Sequence, residues 1–161
     1  MTNTDIAAPR GRHLILIDIE NLTASPSPTH AEVESAIAEL RSAVPDYDDN
    51  QRVVACSHHA APTVAFAFPG ARHLWRSGRD GADTALLDVL ENERVADRYD
   101  RVTICSGDGI FTDTVAWLAC RGVEVTVVSR SGHLSTRLQL AARWVTLLPA
   151  ITADTALGSG A

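Results

Sequence analysis

Short apolar runs rich in β-branched residues alternate along the chain with segments in which apolar residues recur at helical spacing. The first run, HLILIDI at residues 13–19, is typical of a strand that is buried on both faces. Similar runs predict strands over residues 52–56, 72–77, 102–105, 123–128 and 145–148. Helical spacing predicts one helix that follows Thr29 and ends at Pro45, and others over residues 62–66, 83–98, 111–120 and 135–142. This alternation predicts the α/β fold class: a three-layer α/β/α Rossmann-like sandwich with a mainly parallel central sheet.

The length and composition fit one globular domain. The chain has 161 residues, of which 45% are hydrophobic and 21% are charged. We expect the domain to span residues 11–149 and the ends, residues 1–10 and 150–161, to be flexible tails. No apolar run approaches the ~20 residues that a membrane span needs. Because the opening MTNTDIAAPRGRH also lacks the pattern of a secretory signal, we expect a cytoplasmic protein with no membrane partner.

The cysteines and the net charge narrow the classes of function. Cys56, Cys105 and Cys120 are odd in number, lack CxxC spacing and lie in apolar stretches, which predicts buried free thiols rather than disulfides or structural zinc. The net charge of −6 argues against a protein that coats nucleic acid through basic residues. It is compatible with an acidic site whose bound divalent cation attracts phosphate.

Acidic residues follow three of the predicted strands. Asp18 and Glu20 follow the first strand two positions apart, so an extended chain would place them on the same side. Asp108 follows the fourth strand in TICSGDGIF, where flanking glycines permit a tight turn. Asp80 and Asp83 follow the third strand in SGRDGAD. Since open parallel sheets bind ligands beyond the carboxyl ends of their strands, we expect these acids to share one edge.

Two aspartates on the predicted helices lie on different sides relative to the apolar stripe of their helix. Asp83 heads the apolar stripe of the helix over residues 83–98, whereas Asp113 faces away from the stripe of its helix and is not expected to be a ligand. Any one of these aspartates could instead be only a helix cap. Several carboxylates brought close together repel one another unless a cation offsets them, and oxygen-rich sites suit Mg²⁺ or Mn²⁺.

Three short motifs, in this order, resemble the NYN domain, a branch of the PIN-like nucleases. They are DIEN at residues 18–21, GAD at 81–83 and SGD at 106–108, and the resemblance extends over about residues 14–148. It implies a metal-dependent ribonuclease that hydrolyses RNA phosphodiester bonds. The catalytic, metal-binding carboxylates it implies are Asp18, Asp83 and Asp108, with Asn21 and Ser106 as site-orienting residues.

The chain departs from the family pattern at several positions near these motifs. Ile110 occupies a position where the family usually has a further aspartate, and Arg143 occupies that of an aspartate near the closing strand. Asp80 stands where the family commonly has lysine, directly after Arg79. Asp80 or Glu20 could supply the missing carboxylate, and Arg79 could supply the missing positive charge.

The sequence leaves several functional roles open. Arg76 and Arg79 are candidates for binding RNA phosphate, because guanidinium matches phosphate in bidentate fashion, although both could be ordinary surface arginines. The alternative function is a catalytically degenerate PIN-like module for RNA binding or assembly, which Ile110 favours. The acid pair after the first strand raises a more distant alternative, a phosphatase of the haloacid-dehalogenase type, but its second acid is Glu20 and the chain contains no lysine.

The predicted helix over residues 111–120 is apolar all round in its second half, VAWLAC. Helices of this kind are covered on more than one side. A second copy of the chain could provide the outer cover in a homodimer, and packing within the chain is the alternative.

Overall fold

The computed structural model describes residues 11–152 and contains one sheet of six parallel strands with helices on both faces. The strands are β1 (His13–Asp18), β2 (Gln51–Cys56), β3 (Arg72–Trp75), β4 (Arg101–Cys105), β5 (Glu124–Arg130) and β6 (Trp144–Leu148). Their order across the sheet is β3-β2-β1-β4-β5-β6, and every neighbouring pair is parallel. The predicted α/β fold class is therefore confirmed.

Seven α-helices and two 3-10 turns connect the strands in the described range. The helices are α1 (Ile19–Thr23), α2 (His30–Ala43), α3 (Ala61–Ala67), α4 (Gly81–Asn92), α5 (Val95–Arg98), α6 (Thr112–Cys120) and α7 (Thr136–Ala141). The 3-10 turns are Tyr47–Asp49 and Gly109–Phe111. Thr29 begins α2 with a reciprocal cap, in which the Glu32 backbone N–H donates to its hydroxyl and its own N–H donates to the Glu32 carboxylate.

The two faces of the sheet carry separate apolar cores. Leu14 and Leu16 of β1 pack with α4, α6 and α7, whereas Ile15 and Ile17 of the same strand pack with α1, α2 and α3. All four of these side chains are almost fully buried. Burial of one such side chain contributes about 1.5–3 kcal/mol, so β1 anchors both layers. Its carboxyl end, Asp18, is consequently held in place from both sides.

Two of the differences from the predicted element boundaries change the interpretation of the sequence. The first strand ends at Asp18 and α1 begins at Ile19, because the Asp18 carboxylate accepts the Asn21 backbone N–H at 3.1 Å and caps a helix there. The predicted helix over residues 83–98 is divided into α4 and α5 by Arg94, whose backbone is left-handed with φ of 54°. The prediction that Glu20 stays beside Asp18 on an extended chain is therefore wrong.

Burial tests two further predictions. Cys56 and Cys105 are buried free thiols, but Cys120 is exposed at the end of α6, so its predicted burial is wrong. Helix α6 buries Val115 and Leu118 and leaves Trp117 47% exposed, so the homodimer through this helix stays a prediction.

None of the described helices is long and apolar enough to cross a membrane. The predicted flexible tails fall mostly outside the described range.

Candidate metal centre

The site lies where the connections of the sheet diverge. From β1 the chain passes through α2 to β2 on one side, whereas from β4 it passes through α6 to β5 on the other side. Because β1 and β4 are neighbours, a crevice opens beyond their carboxyl ends, which is the usual ligand position in open α/β sheets. Asp18 is the last residue of β1, and Asp108 follows β4 by three residues.

Asp18 is the most deeply buried carboxylate of the site, with 3% of its surface exposed. Burial raises its pKa, and the negative charges of Glu20 and Asp108 act in the same direction. The hydrogen bond with the Asp83 side chain and the bond from the Asn21 backbone N–H oppose this rise. Asp18 therefore sits at the base of the crevice in direct contact with Asp83.

Asp83 lies in the first turn of α4 and is also buried, at 7% exposure. Burial raises its pKa to about 9, reinforced by the hydrogen bond and charge of Asp18 and by the charge of Asp108. Its Oδ1 atom is buried and has no hydrogen-bond partner within residues 11–152. Without a cation, the Asp18–Asp83 pair is expected to share one proton, because two adjacent buried carboxylates cannot both ionise at low cost.

The loop that carries Asp108 is held by the two predicted site-orienting residues. The Gly107 backbone N–H donates to Asn21 Oδ1 at 3.0 Å, and the Asp108 backbone N–H donates to Ser106 Oγ at 3.2 Å. The Asp108 carboxylate accepts the Ile110 N–H at 2.9 Å and so caps the 3-10 turn that precedes α6. Asn21 thus ties the end of β1 to the loop after β4.

Three carboxylates form a cluster with the spacing of a metal site. One oxygen each from Asp80, Asp83 and Asp108 lies within 4.8 Å of the other two. Asp80 is exposed and has a left-handed backbone with φ of 55°, a conformation that costs a non-glycine residue about 1–2 kcal/mol. Asp18 adjoins this cluster through its contact with Asp83.

These residues fit a small hard cation. Every candidate donor atom is a carboxylate oxygen, the donor type that Mg²⁺ and Mn²⁺ prefer. Like charges at this separation destabilise one another, and the buried Asp83 oxygen without a partner has lost its hydration without a compensating hydrogen bond. A divalent cation would relieve both penalties.

The other predicted residues lie around this cluster. Glu20 lies outside the cluster, and its Oε1 atom accepts the Ser57 backbone N–H at 3.0 Å, although its charge still raises the pKa of Asp18. The carboxylate in contact with Asp18 is that of Asp83, which weakens the phosphatase alternative. Arg76 forms an ion pair with Asp88 at 2.9 Å, whereas the Arg79 side chain is 96% exposed and lies 3.9 Å from the Asp80 carboxylate.

The loop after β5 supports the site and was not predicted from the sequence. A Cβ atom on Gly107 would lie 2.2 Å from the His133 carbonyl oxygen and 2.4 Å from Ser129 Oγ. The Ser135 backbone N–H also donates to the Gly107 carbonyl at 2.8 Å. The small residues of the SRSGHLS segment at 129–135 were the only local sign of this contact. The contact also requires β5 to lie beside β4, and hydrophobic periodicity does not reveal the order of the strands.

Known proteins similar to this chain agree with its arrangement. Among solved structures, a protein of unknown function from Vibrio parahaemolyticus RIMD 2210633 has a TM-score of 0.53 and 18% identity, and the match covers 90% of this chain and 95% of that one. This likeness shows the fold alone, and no curated protein matches the chain. The family model of the NYN domain matches residues 12–148. The chain therefore belongs to the NYN domain family, within the PIN-like nuclease superfamily.

Proposed function

We propose that this protein is a divalent-metal-dependent ribonuclease that hydrolyses RNA phosphodiester bonds at the carboxyl edge of its sheet. The observation that carries the proposal is the buried, unpartnered Oδ1 atom of Asp83 within a cluster of three carboxylates. Family membership supports a nuclease-type function, since NYN domains are usually nucleases. The crevice beyond β1 and β4 is also the position where such sheets bind their ligands.

The residues that would hold Mg²⁺ or Mn²⁺ are Asp83 and Asp108, with Asp80 at the exposed side and Asp18 at the buried side. A bound divalent ion supplies a water of lowered pKa and offsets negative charge on the phosphate. Asp18 and Asp83 would give up their shared proton to hold a divalent cation, because its charge would stabilise both carboxylates. Affinity for the ion should consequently rise with pH.

The surrounding residues would position the RNA. Asn21 and Ser106 fix the loop that presents Asp108. Arg79 is the better placed phosphate ligand, because its exposed guanidinium makes only a 3.9 Å contact with Asp80. Arg76 would have to give up its ion pair with Asp88 to do the same. Ile110, exposed beside Asp108, offers the substrate an apolar contact in place of a fourth carboxylate.

Cleavage of a mixed-sequence RNA by purified protein tests the proposal. We expect cleavage with Mn²⁺, none with EDTA, and a loss of at least about 100-fold in the Asp108→Asn variant. Asp113→Asn is the matched control, because Asp113 is exposed and lies outside the cluster. Equal cleavage by the Asp108→Asn variant would contradict the assignment of this site.

Ile110 favours a second candidate function. A site with one carboxylate fewer than the family pattern could retain the fold and bind RNA without cutting it. This module would bind RNA in EDTA and show no calorimetric signal with millimolar Mn²⁺. Binding without Mn²⁺-dependent cleavage would therefore select this candidate over the nuclease.

A further inference from the structure

Part of one sheet face is polar where a parallel sheet is normally apolar. On the face that carries Ile15 and Ile17, the strands β4, β5 and β6 present Thr103, Thr126 and Thr146. Parallel sheets are usually covered by helices on both faces and filled with aliphatic side chains. Here the segment that covers the sheet is the end of α2 with the residues directly after it, which contributes Ala43, Val44 and Pro45 to the lining. The result is a groove of about 400 Å³ between α2 and the sheet.

The groove has the size and lining of a ligand pocket. Its volume of about 400 Å³ lies within the range of about 300–1,000 Å³ that is typical of small-molecule sites. Arg101, Glu124 and Trp144 stand at the amino-terminal ends of β4, β5 and β6. Trp144 is 50% exposed, and the guanidinium of Arg143 lies 5.3 Å from the centre of its ring. An aromatic face and two opposite charges therefore meet in one concave surface.

The two charged residues do not neutralise each other. Arg101 and Glu124 are direct neighbours in the register of β4 and β5, yet no ion pair joins them in the described structure. Among residues 11–152, the Arg101 side chain donates only to the Gly11 carbonyl, at a long 3.5 Å, and its buried Nε has no partner. The exposed Glu124 carboxylate has no hydrogen bond to any described residue. Both groups are available to a ligand.

The Nδ1 atom of His13, in the wall of the same groove, is also unsatisfied. His13 Nε2 is hydrogen-bonded to Thr103 Oγ1 at 2.8 Å, but its buried Nδ1 atom has no partner in the described range. Most buried polar atoms in folded proteins are hydrogen-bonded, so two orphaned nitrogens in one wall are unusual. A polar ligand, with the small side-chain shifts that accompany binding, could satisfy such atoms.

We propose that this groove binds a guanine base. Guanine carries hydrogen-bond donors at N1 and N2, which suit the Glu124 carboxylate, and acceptors at O6 and N7, which suit the Arg101 guanidinium. The indole of Trp144 provides a face on which the base stacks. Adenine reverses the pattern, because it presents an acceptor at N1 and a donor at N6. The groove should therefore discriminate guanine from adenine.

The base can come from a free guanine nucleotide or from RNA, and in the second case the inference rests on the proposed function. The charged end of the groove, with Arg101 and Glu124, lies at the amino ends of β4 and β5, whereas the carboxylate cluster lies beyond the carboxyl ends of the strands. Strands of five to seven residues separate these two charged residues from the cluster by roughly 15–20 Å. A guanine held in the groove would anchor an RNA strand without touching the aspartates.

Calorimetric titration in EDTA tests the inference separately from cleavage. We expect guanosine and GMP to bind at least about tenfold more tightly than AMP. The Glu124→Gln variant should lose most of this preference, and its circular dichroism and melting temperature would verify that it folds. Trp117→Ala, which removes an exposed indole from the opposite face of the sheet, is the matched control and should bind as the wild type does.

Two further measurements complete the test. Oligouridine with one central guanosine, compared with plain oligouridine, distinguishes RNA from free nucleotide as the source of the base. Equal affinity for GMP and AMP, or no binding of either, would overturn the inference. So would a dimer that dissociates in the Trp144→Ala variant, because a second copy would then fill the groove. GMP binding without RNA cleavage would support this inference and count against the proposed function.

Discussion

The two edges of the sheet both bury titratable groups, but with opposite consequences for stability. At the carboxyl edge, burial raises the pKa of Asp18 and raises that of Asp83 to about 9. At the amino edge, burial and the nearby charge of Arg101 lower the pKa of His13 to about 4. In each case the charged form is disfavoured. An aspartate is ordinarily charged at neutral and alkaline pH, so burial costs these acids a proton or a cation there, whereas the histidine would be charged only in acid.

This difference indicates where the fold is constrained by function. The amino edge avoids its penalty at neutral pH by leaving His13 uncharged. The carboxyl edge can avoid its penalty only by holding a proton or a cation. It also contains the left-handed backbone of Asp80 and the unpartnered oxygen of Asp83. A left-handed backbone and an unpartnered buried oxygen within one cluster of carboxylates are expected where a protein maintains a binding site at the expense of stability.

The largest effect is expected when the loop at the carboxyl edge is crowded. Gly107→Ala would place a Cβ atom 2.2 Å from the His133 carbonyl oxygen, so we expect the free energy of unfolding to fall by about 3 kcal/mol. Gly122→Ala is the control, since its φ of +85° is unfavourable but nothing lies within 4 Å of the added atom. We expect it to cost about 1 kcal/mol. Equal losses in urea denaturation would show that crowding at Gly107 is unimportant.

A smaller effect is expected from the pH dependence of the amino edge. Between pH 6.5 and about 4 the unfolded chain binds a proton at His13 that the folded chain does not, so stability falls as the pH falls through this window. The loss should be on the order of 2 kcal/mol. His13→Gln removes the titrating ring and should flatten the curve of unfolding free energy against pH. Parallel curves for the two proteins would contradict this account of His13.

The smallest effect is expected from the carboxyl edge in the absence of metal. Asp83→Asn should raise the free energy of unfolding in EDTA by about 1 kcal/mol at pH 8, because it removes a buried carboxylate that is costly to ionise. Between about pH 9 and 4 the folded wild type binds a proton at Asp83 that the unfolded chain does not bind, so its free energy of unfolding rises as the pH falls. The difference in stability between the variant and the wild type therefore shrinks toward pH 4.

The Asp83→Asn variant should also lose the stabilisation that Mn²⁺ gives to the wild type, because a ligand stabilises only the state that binds it. Asp113→Asn, a change at an exposed position of α6, should keep both the wild-type pH dependence and the response to Mn²⁺. A variant at Asp83 that is less stable than the wild type in EDTA at pH 8 would contradict the account of this edge.

Much of the fold could be predicted from the sequence because its signals are local. The apolar run before Asp18 and the run before Ser106 could be assigned as strands, and parallel strands bring their carboxyl ends to one edge. The start of α1 could not be predicted, since Ile19 continues the apolar run of the preceding strand. The turn of Glu20 toward Ser57 follows from this early helix, so it was missed as well.

Features that depend on the packing of distant segments were not predictable. The interruption at Arg94 has no glycine or proline to mark it. The exposure of Cys120 depends on which face of α6 packs against the sheet. Thr103 and Thr126 are β-branched and fit any strand, so nothing local shows that they line a groove. The same limit applies to the loop after β5, whose contact with Gly107 requires the strand order.

The most direct test of the central claim is anomalous diffraction at the manganese edge from crystals soaked in Mn²⁺. The account predicts an anomalous peak within ligand distance of Asp83 and Asp108, and no peak there in crystals of the Asp83→Asn variant. A wild-type crystal with no manganese at these carboxylates, or with manganese bound only at other surface acids, would contradict it.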